Sequence, residues 1–228
     1  MTRKIPLIRQ REMLLLPWLL LTCLAWTWPE EPGTLQLRGA VGFSTINFLS
    51  HVKGAGPTDP YSFSDLRMAN GPAFLVGVQY YLTPWFSVGA DATYAINSVK
   101  QQAVTACTAE AGCGQHSFIK GWNGKVITIA STILLHSPAW QGLHVYGGGG
   151  PTFTMSTLGD QFGNTESNDW GIGGRIGVQY APFSAEQPWR LFMEWQHKQD
   201  YMDCGDKEGC FRGRRYGNLM LFGVAWNW

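Results

Sequence analysis

Trp170-Gly-Ile-Gly-Gly-Arg-Ile-Gly-Val-Gln-Tyr180 carries the pattern that decides the fold. In an extended chain Trp170, Ile172, Ile176, Val178 and Tyr180 fall on one side. Gly171, Gly173, Arg175, Gly177 and Gln179 fall on the other. A period of two is the signature of a β-strand, because successive side chains point to opposite faces. One face is large and apolar, and the other is small, polar or charged. That division suits a strand with lipid outside and a polar interior. A soluble ligand-binding barrel has the reverse sense, with its apolar face inward.

The same alternation recurs on both sides of this stretch, predicting strands near 35–47, 73–82, 85–98, 124–136, 142–155, 169–181, 189–201 and 215–228. Short links alternate with long polar ones, the latter near 50–70, 99–120, 156–168 and 202–214. This is the layout of an antiparallel up-and-down barrel with short turns at one end and long loops at the other. Unpaired backbone is costly in lipid, so a closed barrel is expected over an open sheet. The fold class is therefore all-β, an eight-stranded antiparallel up-and-down transmembrane β-barrel over 34–228. Trp85, Trp140, Trp189, Trp226 and Trp228 lie at or beside the short turns and predict one aromatic girdle. Tyr94, Trp170 and Tyr216 predict the other.

Composition agrees. The 228 residues are 45% hydrophobic, 14% aromatic and only 14% charged, with a net charge of +1, which speaks against a broad basic nucleic-acid face. Residues 1–25 read as a signal peptide, with Arg3, Lys4, Arg9 and Arg11 ahead of a short apolar run and small residues Cys23 and Ala25 at its end. Residues 26–33 read as a periplasmic N-terminal segment. Cleavage after Ala25 removes four of the 17 Lys+Arg and one of the 16 Asp+Glu, giving a formal charge of −2. It also removes one of five cysteines and leaves an even number in an exported chain.

Three stretches carry a family likeness: Val145-Tyr-Gly-Gly-Gly-Gly-Pro-Thr-Phe153, Trp170 to Tyr180, and the terminal Leu219-Met-Leu-Phe-Gly-Val-Ala-Trp-Asn-Trp228. Together the organisation resembles the small eight-stranded outer membrane β-barrel proteins of the OmpA/OmpX type. The resemblance implies a monomer in the bacterial outer membrane, in contact with membrane lipid and lipopolysaccharide. It also implies that the terminal Trp228 is read by the barrel assembly machinery. The expected function is non-enzymatic, a porin-like barrel whose four surface loops serve envelope integrity, adhesion or surface contact. A narrow channel and a lipid A-modifying acyl hydrolase are the alternatives.

By parity Arg38, Asp91, Arg175, Arg190 and Glu194 point inward. Buried charges are costly unless paired, so these predict an interior polar plug, as eight strands leave room only for side chains. Cys107 and Cys113 share one long loop, and Cys204 and Cys210 share another at the same spacing. Two local disulfides are expected, over a zinc site with His116, because zinc motifs favour tighter spacing. No metal or other cofactor is expected. His197 within Glu194-Trp-Gln-His-Lys-Gln-Asp200 is similar to the catalytic His of the lipid A 3-O-deacylase family. Gln199 stands where that family has its Ser, so no acyl-transfer nucleophile is present and no catalytic residue is expected. Lys207, Arg212, Arg214 and Arg215 suit lipopolysaccharide phosphates or a solvated loop edge. The glycines at 147–150 lie within a strand and serve bending or close packing.

Overall fold

The computed structural model describes residues 26–27, 30–50, 61–108, 112–118, 123–159, 164–182, 187–202 and 213–228. Eight antiparallel strands close into a barrel. β1 is Leu35–Ser50, β2 comprises Tyr61–Met68 and Gly71–Thr83, and β3 is Phe86–Thr108. β4 comprises Gly112–Phe118 and Asn123–His136, and β5 is Leu143–Gly159. β6 is Asn164–Tyr180, β7 is Trp189–Met202 and β8 is Gly213–Asn227. Each strand pairs with its neighbour in sequence, and β8 pairs with β1 from Asn227–Gln36 to Gly213–Ser50. Below that seam Leu35 and Trp228 exchange two backbone hydrogen bonds, at 3.1 and 2.7 Å. The closed ladder leaves no sheet edge, as a lipid environment requires. No helix among the described residues is long and apolar enough to cross a membrane.

The alternation has the predicted sense. Phe43 and Val76 face outward at 65% and 66% exposure, while Gln36 and Glu194 are fully buried inside. Trp85, Trp140, Trp189, Trp226 and Trp228 are exposed around the short-turn end, and Trp170 near the other. Trp189 and Trp226 meet edge to face at 4.3 Å, a favoured aromatic geometry. The link from β4 to β5 ends in a two-residue turn between the paired Trp140 and Leu143, in which Gln141 and Gly142 both have positive φ, 51° and 78°. Such turns match the twist of the flanking strands, and glycine takes the second position without strain.

The long connections differ from expectation. The stretches 61–68, 99–108, 112–118, 156–159 and 164–168 are strand, not loop. Tyr61–Met68 pairs with β3 beyond the main ladder, and 102–108 folds back on 112–118 as a hairpin. Once strands leave an apolar medium, nothing selects large apolar residues on one face. Ser62, Ser64, Gln101, Gln102 and Thr105 therefore hide a strand that backbone pairing still forms.

Candidate functional site

The chemistry of the described residues lies mainly inside the barrel, in three layers. In the middle, β1, β3, β6 and β7 bring Arg38, Asp91, Arg175 and Glu194 together. Arg38 Nη2 donates to Glu194 Oε2 at 2.6 Å and to Tyr146 Oη at 2.8 Å, and Tyr146 donates to the same carboxylate oxygen at 2.7 Å. Arg175 pairs with Asp91, lies 3.5 Å from the other Glu194 oxygen, and donates to Thr132 Oγ1 at 3.1 Å. Gln196 donates to Glu194 as well. The Arg38 guanidinium also lies 4.3 Å from the Phe192 ring centre, a cation–π distance. Tyr146 reaches this layer across Gly177, where a Cβ would come within 2.5 Å of its ring.

Toward the long-connection end, Arg215 donates to Asp200 at 3.0 Å and to Asp169 at 2.8 Å. Thr152 and Thr154 donate to Asp200, each at 3.2 Å, and Lys198 donates to Thr93 at 2.6 Å. A cavity of about 20 Å³ between Ser44, Thr128, Lys198 and Arg215 has room for roughly one water. Toward the short-turn end, Arg190 Nε donates to Glu30 Oε1 at 2.8 Å, and Asn227 donates to Glu30 too. Burial raises the Glu30 carboxyl above its ordinary range, while Arg190 and Asn227 pull it back. His136 lies 2.8 Å from Ser87 Oγ and 3.2 Å from the Gln79 amide nitrogen.

All five residues of the predicted plug are buried. Four form the middle layer, and Arg190 belongs to the short-turn layer with Glu30. The parity reading extends to Asp169, Lys198, Asp200 and Arg215, because each continues the inward series of its strand. Glu30 lies in a non-periodic segment that carries no such signal. Among the described residues the buried charges balance: Arg38, Arg175, Arg190, Lys198 and Arg215 against Glu30, Asp91, Asp169, Glu194 and Asp200.

Arg215 is a correction. Its place beside Arg212 and Arg214 suits lipopolysaccharide phosphates or a solvated loop edge, yet it is buried in the lumen and ion-paired. Its odd parity on β8 matches that of Gly217 and Ala225 and turns it inward. Lys207 and Arg212 lie outside the described residues, and Arg214 is described only in its backbone. Cys107 and Cys113 are direct partners across the 102–118 hairpin. Cys204 and Cys210 lie outside the described residues. His197 faces outward, and its Nδ1 lies 2.9 Å from Asn218 Oδ1. Glu194 faces inward, so the wall separates the two. Among the described residues no three His, Cys, Asp or Glu side chains gather as a metal site. Gly148 and Gly150 serve close packing, since a Cβ on either would meet a β4 carbonyl oxygen at 1.9 and 2.0 Å.

A family model described as an outer membrane protein beta-barrel domain matches residues 15–197. The chain belongs to that family. This outer membrane barrel is similar in fold to Neisserial surface protein A, at TM-score 0.55 and 13% identity, covering 85% of this chain and 98% of that one. It is similar also to OprG from Pseudomonas aeruginosa, at TM-score 0.52 and 13% identity, covering 89% and 99%. No curated protein sequence matches it. Its localisation is the outer membrane.

Proposed function

We propose that this barrel is a closed, non-enzymatic scaffold that presents its long-connection end at the cell surface, for envelope integrity, adhesion or contact with other surfaces. The observation that carries the reading is the lumen. Three ion-paired layers with balanced charge fill it, as a rigid support needs and a conducting path does not. The 102–118 hairpin, with Cys107 opposite Cys113, supports a stiffened projection. Surface exposure is also what the name of Neisserial surface protein A says of that protein. The side chain of the terminal Trp228 is 84% exposed while its backbone closes the seam, which suits reading by the assembly machinery.

Against the hydrolase alternative, the hydrogen-bond partner of His197 among the described residues is the Asn218 amide, not a serine hydroxyl. The test is the lipid A mass spectrum of cells carrying the inserted barrel beside an empty-vector control. The scaffold reading expects identical spectra. Gain or loss of an acyl chain, abolished by His197→Gln, would replace it with an enzyme.

A further inference from the structure

The outward wall is unevenly apolar. On β5 every outward position from Leu143 to Met155 is apolar, glycine or proline. On β7 the apolar series ends at Trp195 and gives way to His197, Gln199 and Tyr201. On β8 it ends at Met220, followed by Asn218 and Tyr216, and on β1 it ends at Phe43, followed by Thr45. At ~3.3 Å per residue and a tilt of ~40°, the apolar belt is roughly 15 Å shorter on β7 than on β5.

The polar residues that replace it are aligned. His197, Asn218 and Thr45 are direct register partners across β7, β8 and β1. His197 Nδ1 lies 2.9 Å from Asn218 Oδ1, and Thr45 Oγ1 donates to Asn70 Oδ1 at 3.1 Å. These contacts occupy the oxygens of both amides. His197 Nδ1 donates to Asn218 Oδ1, the tautomer that leaves Nε2 an acceptor; among the described residues Nε2 and the Asn218 and Asn70 amide nitrogens make no hydrogen bond to protein. Trp195 and His197 stack at 6.0 Å, and His197 and Tyr216 at 6.3 Å, with Trp195 44% exposed. Polar atoms facing hydrocarbon without partners are costly. At the edge of the apolar belt, the partners on offer are lipid headgroups and water.

We propose that the β7–β8–β1 wall binds the phosphorylated-sugar headgroup of an outer-leaflet glycolipid, seated deeper than its neighbours in the leaflet. The row, two amide donors and one imidazole acceptor, spans roughly 10 Å across two strand spacings and matches the oxygens of phosphates and the oxygens and O–H groups of sugar hydroxyls. The stacked rings offer flat faces to the apolar side of a sugar. A simple phospholipid head supplies oxygens but no ring for those faces. The inference rests on the barrel's place in the outer membrane, and it is independent of what the surface loops contact.

The test uses the full barrel in bilayer discs doped with rough-type lipopolysaccharide or, separately, phosphatidylglycerol, with retained lipid counted by native mass spectrometry. The wild type is expected to hold lipopolysaccharide in preference to phosphatidylglycerol. H197L/N218L is expected to lower that retention about tenfold, and Thr45→Val to lower it in part. Lys125→Leu on the far wall should leave it unchanged. The leucines lengthen the apolar belt, so folding is preserved, and faster gel migration of unboiled samples checks it. Equal retention of both lipids, unchanged retention in H197L/N218L, no retention by the wild type, or a dimer occupying this wall would each overturn the proposal.

Discussion

Glu194→Gln separates a dry plug from a wet passage. Glu194 is fully buried and faces two guanidiniums, Arg38 at 2.6 Å and Arg175 at 3.5 Å. The substitution keeps the shape and removes one negative charge, leaving Asp91 as the middle layer's carboxylate. Breaking a buried pair from one side costs about 3–5 kcal/mol, because a charge stays buried without compensation. A solvated pair would cost only about 0–1 kcal/mol. The sharper form is a cycle with Arg38→Met. Each single variant leaves the layer with a net charge, while the double variant leaves Arg175 facing Asp91 in balance. The double variant should therefore be at least about 2 kcal/mol more stable than the sum of the singles predicts, as expected for residues in one network. Urea unfolding of the barrel in lipid vesicles, followed by tryptophan fluorescence, gives these numbers. A single-variant cost below about 1 kcal/mol, or strict additivity, would refute the plug and mean that water screens the lumen.

Three further outcomes are expected. Non-reducing peptide mapping of the exported protein should link Cys107 to Cys113 and Cys204 to Cys210; a link between the two pairs, or bound zinc, would count against local bridges. The Glu30 carboxyl is raised in the folded protein, so its contribution to stability is fully present below the unfolded value near 4.5 and declines as pH rises through the raised one. Unfolding midpoints across that window should show this slope in the wild type and lose it in Glu30→Gln; parallel curves would contradict it. Deleting Trp228 should reduce insertion in cells severalfold more than it slows refolding into vesicles, because its side chain is exposed; equal losses would assign it to packing alone.

How much was legible in the sequence follows from where the medium is uniform. Within the apolar belt one face meets lipid and the other meets a narrow lumen, so parity alone placed Arg38, Asp91, Arg175, Arg190 and Glu194 inside. Beyond the belt that contrast fades. Strand pairing continues through 61–68, 99–108 and 112–118, but polar residues there fall on both faces and the stretches read as loop. Arg215 and Asp200 sit at this transition, where a charged residue looks solvated unless its parity is counted from deeper in the strand. Glu30 was out of reach for another reason. Its position depends on the chain folding back over the short-turn end, where Gly33 N donates to Tyr81 O at 2.8 Å, and no periodicity records that contact. The partnership of His197 with Asn218 depends on the register between β7 and β8, which neither strand's pattern contains.

The most direct test of the closed scaffold is single-channel recording of the purified barrel in planar bilayers, beside the R38M/E194Q pair of substitutions. A plugged lumen predicts no discrete conductance steps from the wild type, because paired charges occupy it in three layers. It predicts that loosening the middle layer leaves the barrel closed while Arg215 and Arg190 hold the layers on either side. Reproducible steps from the wild type, scaling with salt concentration, would contradict the plug and make this protein a channel.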